Sequence, residues 1–405
     1  MKNRVLLCIL LFCLLLIFSA CAAPDSESQS SPSDTNNTVN IGESFADINT
    51  PATDYAPQEL PLLAVSLPVI TQSETAEDGT VLFNYTFQNL SLVLPDPEVA
   101  DKVILDFLNR IDLTASEAET IRTAAIDDYK STESWNPYLC QITYDPTRID
   151  TGILSMFGSH VSYSGAVHAG AIYRSVSYDL VTGNALALDD IFTANAESSE
   201  LSQLVLEALN AKKEQAQLFD GFEITVAERF EKNHLQDKDW FFSSQGLCFF
   251  FSPYEIGPYA SGTIIAEIPY SKLVGLLDDA YFPAEKESIA GNVFAKPFDN
   301  MELDEFSQFA EVILKEDGTK ILLYTDKAVY DVRIETGSRS SDDGIFTPEH
   351  TVFSAYGLSA GNAIMLQADF SQVQPAIRLS YTTGDETVYQ YLTLNDDSAT
   401  LLTVQ

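Results

Sequence analysis

The chain has 405 residues, of which 59 are acidic and 22 basic, giving a formal net charge of −37. The negative electrostatic potential of such a chain repels phosphate backbones, so nucleic acid is excluded as a general partner. A basic protein or a cation would instead be attracted. The length also exceeds what one hydrophobic core usually takes up, so we expect at least two packed units.

Residues 1–20 have the pattern of a secretory signal peptide. Two cations precede an apolar run from Val5 to Phe18, which is short for a membrane span and favours a cleaved signal over a permanent helix. The small residues before Cys21 and the polar segment after it resemble the lipobox of bacterial lipoproteins. We therefore expect lipid attachment at Cys21, which would anchor the chain on the extracytoplasmic face of the cell membrane. The alternative is a plain signal with an incidental cysteine.

Residues 21–58 are predicted to form a disordered tether. This segment is rich in Ser, Asp, Asn, Thr and Pro and cannot bury enough apolar surface to offset the cost of ordering. A flexible chain of roughly 37 residues has a mean reach on the order of 35 Å, so the folded part would stand within the wall layer. Cleavage removes two cations and no acid, leaving 20 basic against 59 acidic residues and a net charge of −39.

Residues 59–286 are predicted to fold as an α+β domain in which antiparallel sheets pack with helices. Leu82–Phe87 and Leu90–Leu94 are expected to form a strand pair turning near Gln88. A helix that starts after Asp96 is followed by a second helix, which a capping box predicts at Ser116. Further strands are predicted at 137–144, 154–163 and 171–180, and helices at 198–217 and 224–232.

The most strongly patterned stretch is a pair of apolar runs around one loop. Gly246–Ser252 has the length and aromatic content of a strand buried on both faces, and Thr263–Ile268 is its predicted partner. Prolines and glycines between them predict a wide, stiff loop that carries Tyr254, Glu255 and Tyr259. Aromatic residues beside a carboxylate suit a contact surface; the alternative is that these tyrosines cover the edge of a core.

This stretch also resembles a known family. The aromatic run, the loop F-S-P-Y-E-I-G-P-Y-A-S-G and the sequence I-P-Y-S-K-L at Ile268–Leu273 are similar to an extracellular (RsiV-like) domain family of bacterial cell-surface proteins. That family includes the sensing region of a lysozyme-binding anti-sigma factor and accessory regions of some peptidoglycan deacetylases. The resemblance spans about residues 60–285 and includes Tyr163–His168, although most relatives have a second glycine before the histidine. It implies that the loop and His168 take part in ligand binding.

The same resemblance does not carry over every activity of the relatives. An anti-sigma function needs a cytoplasmic segment and a spanning helix, and only an export signal precedes the tether, so we do not expect it. Deacetylation would need a separate catalytic domain with paired histidines and aspartates. The histidines lack zinc-binding spacing, and the adjacent acidic pairs point apart; we therefore expect no enzyme activity, metal or cofactor. The histidines are His160, His168, His234 and His350.

Residues 290–405 are predicted to form an all-β, sandwich-like module. Short apolar runs recur between turn residues, and no helical pattern follows Phe309. Hairpin turns are predicted at Glu316–Thr319 and Thr383–Asp385, and a polar segment at Glu285–Ala290 marks the boundary with the preceding domain. The predicted strands are 310–314, 320–324, 329–334, 363–370, 376–381 and 388–394.

Two cysteines remain in the predicted α+β domain. Cys140 and Cys248 both lie in predicted strands, and either a disulfide or two buried thiols is consistent with their positions. The sequence does not give their Cα separation, which a disulfide restricts to roughly 4.4–6.8 Å.

Three functions follow from these features. We expect first a membrane-anchored binding protein for a basic wall-degrading enzyme such as lysozyme, with Tyr254 and Tyr259 as aromatic anchors and Glu255 as a charge. The alternative is a module that stacks peptidoglycan or another wall glycan on its tyrosines. A third possibility is an enzyme whose site is assembled from residues distant in sequence.

Overall fold

The computed structural model describes residues 60–130, 134–194, 196–231, 239–298, 305–340, 344–370, 376–395 and 398–403. Strands predominate in these ranges and four α-helices pack with them, so the predicted α+β class is confirmed. The described residues belong to one compact unit, and none of their helices is long and apolar enough to cross a membrane. The signal peptide, Cys21, the tether and His234 lie outside the described residues.

The elements are numbered in chain order. The helices are α1 (Pro97–Tyr129), α2 (Ser198–Ala211), α3 (Lys213–Ala216) and α4 (Phe222–Glu231). The first ten strands are β1 (Ala64–Ser66), β2 (Val69–Thr75), β3 (Val81–Gln88), β4 (Ser91–Val93), β5 (Tyr138–Ile149), β6 (Ile153–Tyr163), β7 (Gly170–Asp179), β8 (Trp240–Phe242), β9 (Gly246–Phe251) and β10 (Ile264–Pro269). The others are β11 (Val293–Pro297), β12 (Gln308–Ile313), β13 (Thr319–Thr325), β14 (Val329–Arg339), β15 (Phe346–Leu358), β16 (Asn362–Ala368), β17 (Ala376–Thr383), β18 (Glu386–Asn395) and β19 (Ser398–Thr403).

The first helix is continuous where two were predicted. Asp96 caps it by accepting a backbone amide of the first turn at 2.9 Å. The prediction of a new helix at Ser116 was wrong, because residues 112–116 contain neither glycine nor proline and do not interrupt the helix. Thr114 turns its hydroxyl to the Ile111 carbonyl at 2.6 Å, so this buried polar group is satisfied within the helix. The apolar face therefore runs along the whole helix.

Helix α1 packs on a five-stranded sheet with the order β2-β3-β5-β6-β7. Strands β3 and β5 are parallel, and α1 lies in the connection between them. Val103 and Phe107 of the helix share a core with Ile142 and Tyr144 of β5. The helix thus covers one face of the sheet.

Strands β3 and β4 do not pair with each other, contrary to the prediction. Strand β3 stays in the five-stranded sheet, whereas β4 pairs with β1 in a different sheet. The chain leaves the first sheet at Gln88, whose fully buried side chain donates to the Tyr144 carbonyl at 3.0 Å and accepts its amide at 2.6 Å. The side chain of Gln88 therefore satisfies backbone groups of β5 where the strand pairing of β3 ends.

A small sheet, β8-β9-β10, contains the predicted hairpin. Every residue of β9 is buried, and β9 pairs antiparallel with β10, as predicted. One face of this hairpin shares an apolar core with α2 and α4. On the other face, Phe250 and Phe241 contact Phe157 of β6, with ring centroids 4.9 Å apart in each pair. The hairpin thus joins the helices to the five-stranded sheet.

The described residues from 293 onward form strands in two sheets that share one core. The sheets have the orders β11-β13-β16-β12 and β19-β18-β17-β14-β15-β1-β4. The turn predicted at Thr383–Asp385 joins the antiparallel strands β17 and β18. The hairpin predicted at Glu316–Thr319 was wrong, because β12 and β13 both pair with β16. The boundary predicted at Glu285–Ala290 stays a prediction. Strands β1 and β4 precede it in the sequence but belong to the same sheet as β15, which follows it.

A buried ion pair connects β5 to the hairpin. The side chains of Arg148 and Asp150 are 3% and 6% exposed, and Arg148 Nε lies 2.6 Å from Asp150 Oδ2. Arg148 Nη1 also donates to the Tyr270 hydroxyl at 2.8 Å and the Tyr281 carbonyl at 2.7 Å. The guanidinium lies over the rings of Phe242 and Tyr270, 5.1 and 5.4 Å from their centroids. A single side chain thus links three separate segments.

Replacing this arginine should destabilise the protein strongly. We expect Arg148→Met to lower the free energy of unfolding by about 3–5 kcal/mol, because the Asp150 carboxylate would stay buried without its partner. The control is Arg122→Met: Arg122 pairs with Glu74 and Glu119 but is 34% exposed, so we expect a loss below about 1 kcal/mol. Urea unfolding followed by tryptophan fluorescence measures both, and equal losses would contradict the role of the buried pair.

The two cysteines of the described residues are buried free thiols, not a disulfide. Burial raises the pKa of Cys140 to about 11 and that of Cys248 to about 12. Both thiols are therefore protonated at neutral pH and shielded from reagents.

Thiol labelling separates the two alternatives. The protein from Ala22 to Gln405 contains only these two cysteines. We expect Ellman's reagent to label neither thiol in the folded protein and both after unfolding without reductant, because burial alone protects them. Labelling of neither thiol after unfolding would instead demonstrate a disulfide.

Candidate functional site

Three aromatic side chains predicted to bind a ligand lie together on the surface. The ring centroids of Tyr254 and Tyr259 are 5.7 Å apart, and those of Tyr259 and His168 are 6.2 Å apart, with interplanar angles of 33° and 30°. Tyr254 is 69% and Tyr259 49% exposed, and His168 is exposed as well. We call these three residues the aromatic row. It is built from two loops, one between β6 and β7 and one between β9 and β10.

The loop that carries the tyrosines is held in place by its own backbone. Tyr254 has a positive φ of 71°, and its amide donates to the Gly257 carbonyl at 2.9 Å. Ile256 between them is fully buried, and its carbonyl accepts the Phe219 amide at 2.9 Å. A Cβ at Gly257 would lie 2.6 Å from Ile264 Cδ1, so only glycine fits there without displacement. Tyr254 is therefore directed outward by a buried neighbour and a tight turn.

Glu255 lies beside the row, but its carboxylate faces a cation of the protein itself. It accepts Arg229 Nη1 at 3.1 Å and the Ser252 amide at 3.0 Å. Glu255 thus positions the loop, and its predicted role as a contact charge stays a prediction.

Arg229, near the end of α4, is the residue that sequence reasoning missed. It pairs with Asp239 as well as Glu255, donates to the Phe250 carbonyl at 3.0 Å and lies 4.8 Å from the Phe251 ring centroid. Its side chain is only 11% exposed. Its position between the apolar residues of α4 could have predicted a buried ion pair, because a cation on the buried face of a helix needs an acidic partner.

A thiol and a base approach each other in the sheet, which bears on the enzyme alternative. Cys140 Sγ lies 3.6 Å from His160 Nε2, and that nitrogen lies 3.5 Å from a Glu117 carboxylate oxygen. Burial lowers the pKa of His160 and raises that of Cys140 to about 11. The thiolate needed for nucleophilic attack is therefore scarce at neutral pH, and packing under α1 explains this cluster better than catalysis.

Two other histidines fall elsewhere. His350 lines a cavity away from the aromatic row, and His234 lies outside the described residues. Within the described ranges, no group of three or more His, Cys, Asp or Glu side chains is placed to hold a metal ion.

The segment that carries the two tyrosines has relatives. Residues 189–271 match the DUF3298 family. Its description is "Protein of unknown function", and the match includes α2, α4, β9 and β10 but not His168. No curated protein matches the chain.

Two solved structures are similar to this chain. A DUF3298 family member from Bacteroides fragilis is 19% identical over 54% of this chain and 94% of its own, with a TM-score of 0.41. A DUF3298 family protein from Pseudomonas aeruginosa PAO1 is 17% identical over 55% of this chain and 98% of its own, with a TM-score of 0.35.

The left-handed backbone of Tyr254 gives a stability test. Both Tyr254→Gly and Tyr254→Ala remove the ring. We expect the free energy of unfolding of the glycine variant to be about 1 kcal/mol higher than that of the alanine variant, because only a residue with a Cβ is strained at φ 71°. The control is Tyr389, 42% exposed in strand β18, where glycine should instead be less stable than alanine by about 0.5–1 kcal/mol. Urea unfolding measures all four variants. If alanine were the more stable replacement at position 254 as well as at position 389, the loop conformation would be contradicted.

Proposed function

We propose that this chain is a membrane-anchored lipoprotein of the cell envelope that binds a partner through the aromatic row and performs no chemistry on it. The observation that carries this proposal is the row itself: Tyr254 and Tyr259 are 69% and 49% exposed while the loop beneath them is fixed. Exposed aromatics that are already ordered bind with a small loss of entropy. The lipid at Cys21 would keep this surface at the extracytoplasmic face of the membrane.

The partner we propose is a basic wall-degrading enzyme such as lysozyme. Two features support it: the resemblance of the tyrosine loop to RsiV-like domains, and the net charge of −37, which would steer a basic protein toward the surface. Because Glu255 is paired internally by Arg229, the attraction would come from the whole acidic surface, and the rings would supply the short-range contacts.

A wall glycan is the second candidate. The row favours it because its three rings follow one another at 5.7 and 6.2 Å with modest tilts. Successive ring faces of this kind can stack on the apolar faces of successive sugars. Such binding would depend little on salt, which separates it from the first candidate.

Direct binding tests both candidates. We expect the protein from Ala22 to Gln405 to bind immobilised lysozyme at low salt and more weakly at moderate salt, with little binding to purified peptidoglycan. The double variant Tyr254→Ala, Tyr259→Ala should lose at least about tenfold in affinity, because both anchors are removed.

The matched control is Phe309→Ala. Phe309 is 41% exposed on strand β12, away from the row, so its removal should leave binding unchanged. Salt-insensitive binding to peptidoglycan alone would favour the glycan candidate. Absence of both interactions at low salt would refute the proposed function.

A further inference from the structure

A polar cavity separate from the aromatic row lies between β5, β14 and β15. Its volume is about 350 Å³, within the range of small-molecule sites. Side chains of both charges line it, together with hydroxyls of the turn between β8 and β9. The charged side chains and the histidine of its lining are Asp145, Arg333, Glu335, Glu349 and His350.

Extra residues in both walls of this cavity change the direction of its side chains. Register shifts leave Val352 and Glu349 of β15 without an opposite residue on β14. A third shift leaves Thr147 of β5 without an opposite residue on β6. β-Bulges of this kind re-aim side chains and are frequent beside binding and active sites. Regular strands on each side would direct these side chains differently.

Arg333 of the cavity interacts electrostatically with the Asp145 carboxylate, but the two side chains do not form an ion pair. Among the described residues, no carboxylate oxygen lies within the 4.0 Å ion-pair distance of the Arg333 guanidinium. The nearby Glu335 is ion-paired with another arginine, because Arg378 Nε and Nη2 lie 2.9 and 2.8 Å from its Oε2. An unpaired guanidinium in a strongly acidic chain is available to a carboxylate of a ligand.

A histidine beside it also lacks a partner. His350 Nδ1 is buried, and no hydrogen-bond partner for it exists among the described residues. Buried polar atoms are normally hydrogen-bonded, so this nitrogen is an unsatisfied group in the wall of the cavity.

Acidic groups supply the opposite charge. Asp145 Oδ1 accepts the Thr351 amide at 2.7 Å, which fixes the carboxyl group, and burial raises the pKa of Asp145. Glu349 is exposed and, among the described residues, makes no hydrogen bond. A ligand that is only an anion would be repelled by these two groups, and one that is only a cation would be repelled by Arg333.

We propose that this cavity binds a small amphoteric ligand, either a free amino acid or the end of a short peptide. The ligand carboxylate is held by Arg333, and the ligand ammonium group lies against Asp145 and Glu349. This inference uses none of the residues of the aromatic row, so it is independent of the proposed function.

Calorimetric titration of the protein from Ala22 to Gln405 tests it. We expect alanine and dialanine to bind, with the tighter of the two identifying a free amino acid or a peptide end as the natural ligand class. N-acetyl-dialanine lacks the ammonium group and dialanine amide lacks the carboxylate, so each should bind weaker by roughly tenfold or more. Equal binding of the blocked and unblocked forms would overturn the proposal.

Variants locate the site. Arg333→Gln should weaken dialanine binding by roughly tenfold or more, because a charged hydrogen-bond donor is lost. The control Arg174→Gln removes an arginine of β7 that lies outside the cavity and should leave the affinity unchanged. The Tyr254→Ala, Tyr259→Ala variant should also bind dialanine normally, which separates this site from the aromatic row. Absence of binding by the wild-type protein, or an unchanged affinity in Arg333→Gln, would overturn the inference.

Discussion

The buried pair of Arg148 and Asp150 connects the five-stranded sheet to the residues that flank the hairpin β9–β10. This pair stands at 2.6 Å with almost no solvent contact, and removing two charges from water is costly unless every donor and acceptor is satisfied. Here the arginine also meets a tyrosine hydroxyl and a carbonyl, and Asp150 accepts the amides of Gly152 and Ile153 at 3.0 Å. Such a network favours one geometry, and together with the contact of Phe250 and Phe157 it holds the hairpin β9–β10 on the five-stranded sheet.

A second arginine near the surface makes the same kinds of contact as Arg148. Arg229, like Arg148, combines acidic partners, a backbone carbonyl and the face of a phenylalanine ring. Its partner Glu255 is ion-paired within the protein, so the two exposed rings lie beside a carboxylate that already has a cationic partner. The total charge of the chain would act on a partner over distance, whereas the exposed part of this loop consists of aromatic rings.

Local patterns predicted the parts of the fold that depend on local sequence. The burial of β9 and its pairing with β10 follow from six apolar residues, two prolines and the glycines of the loop, whereas the sequence left open whether the tyrosines face outward or cover a core edge. The pairing of β1 with β15 could not be predicted, because it joins segments far apart in sequence and has no local signature. The contact between His168 and Tyr259 and the ion pair of Arg229 with Glu255 also join residues distant in sequence, so they could not be predicted either.

The position of strand β1 inside a sheet decides how the protein would respond to a pull on the segment that precedes it. Strand β1 lies between β15 and β4, the Leu62 amide donates to Gln308 Oε1 at 2.8 Å, and Asn362 Nδ2 donates to the Leu60 carbonyl at 2.8 Å. Tension arriving through the preceding segment would enter the seven-stranded sheet and be shared by the hydrogen bonds on both sides of β1. A force between that segment and the tyrosine loop would therefore act on a strand held on both sides rather than on a free sheet edge.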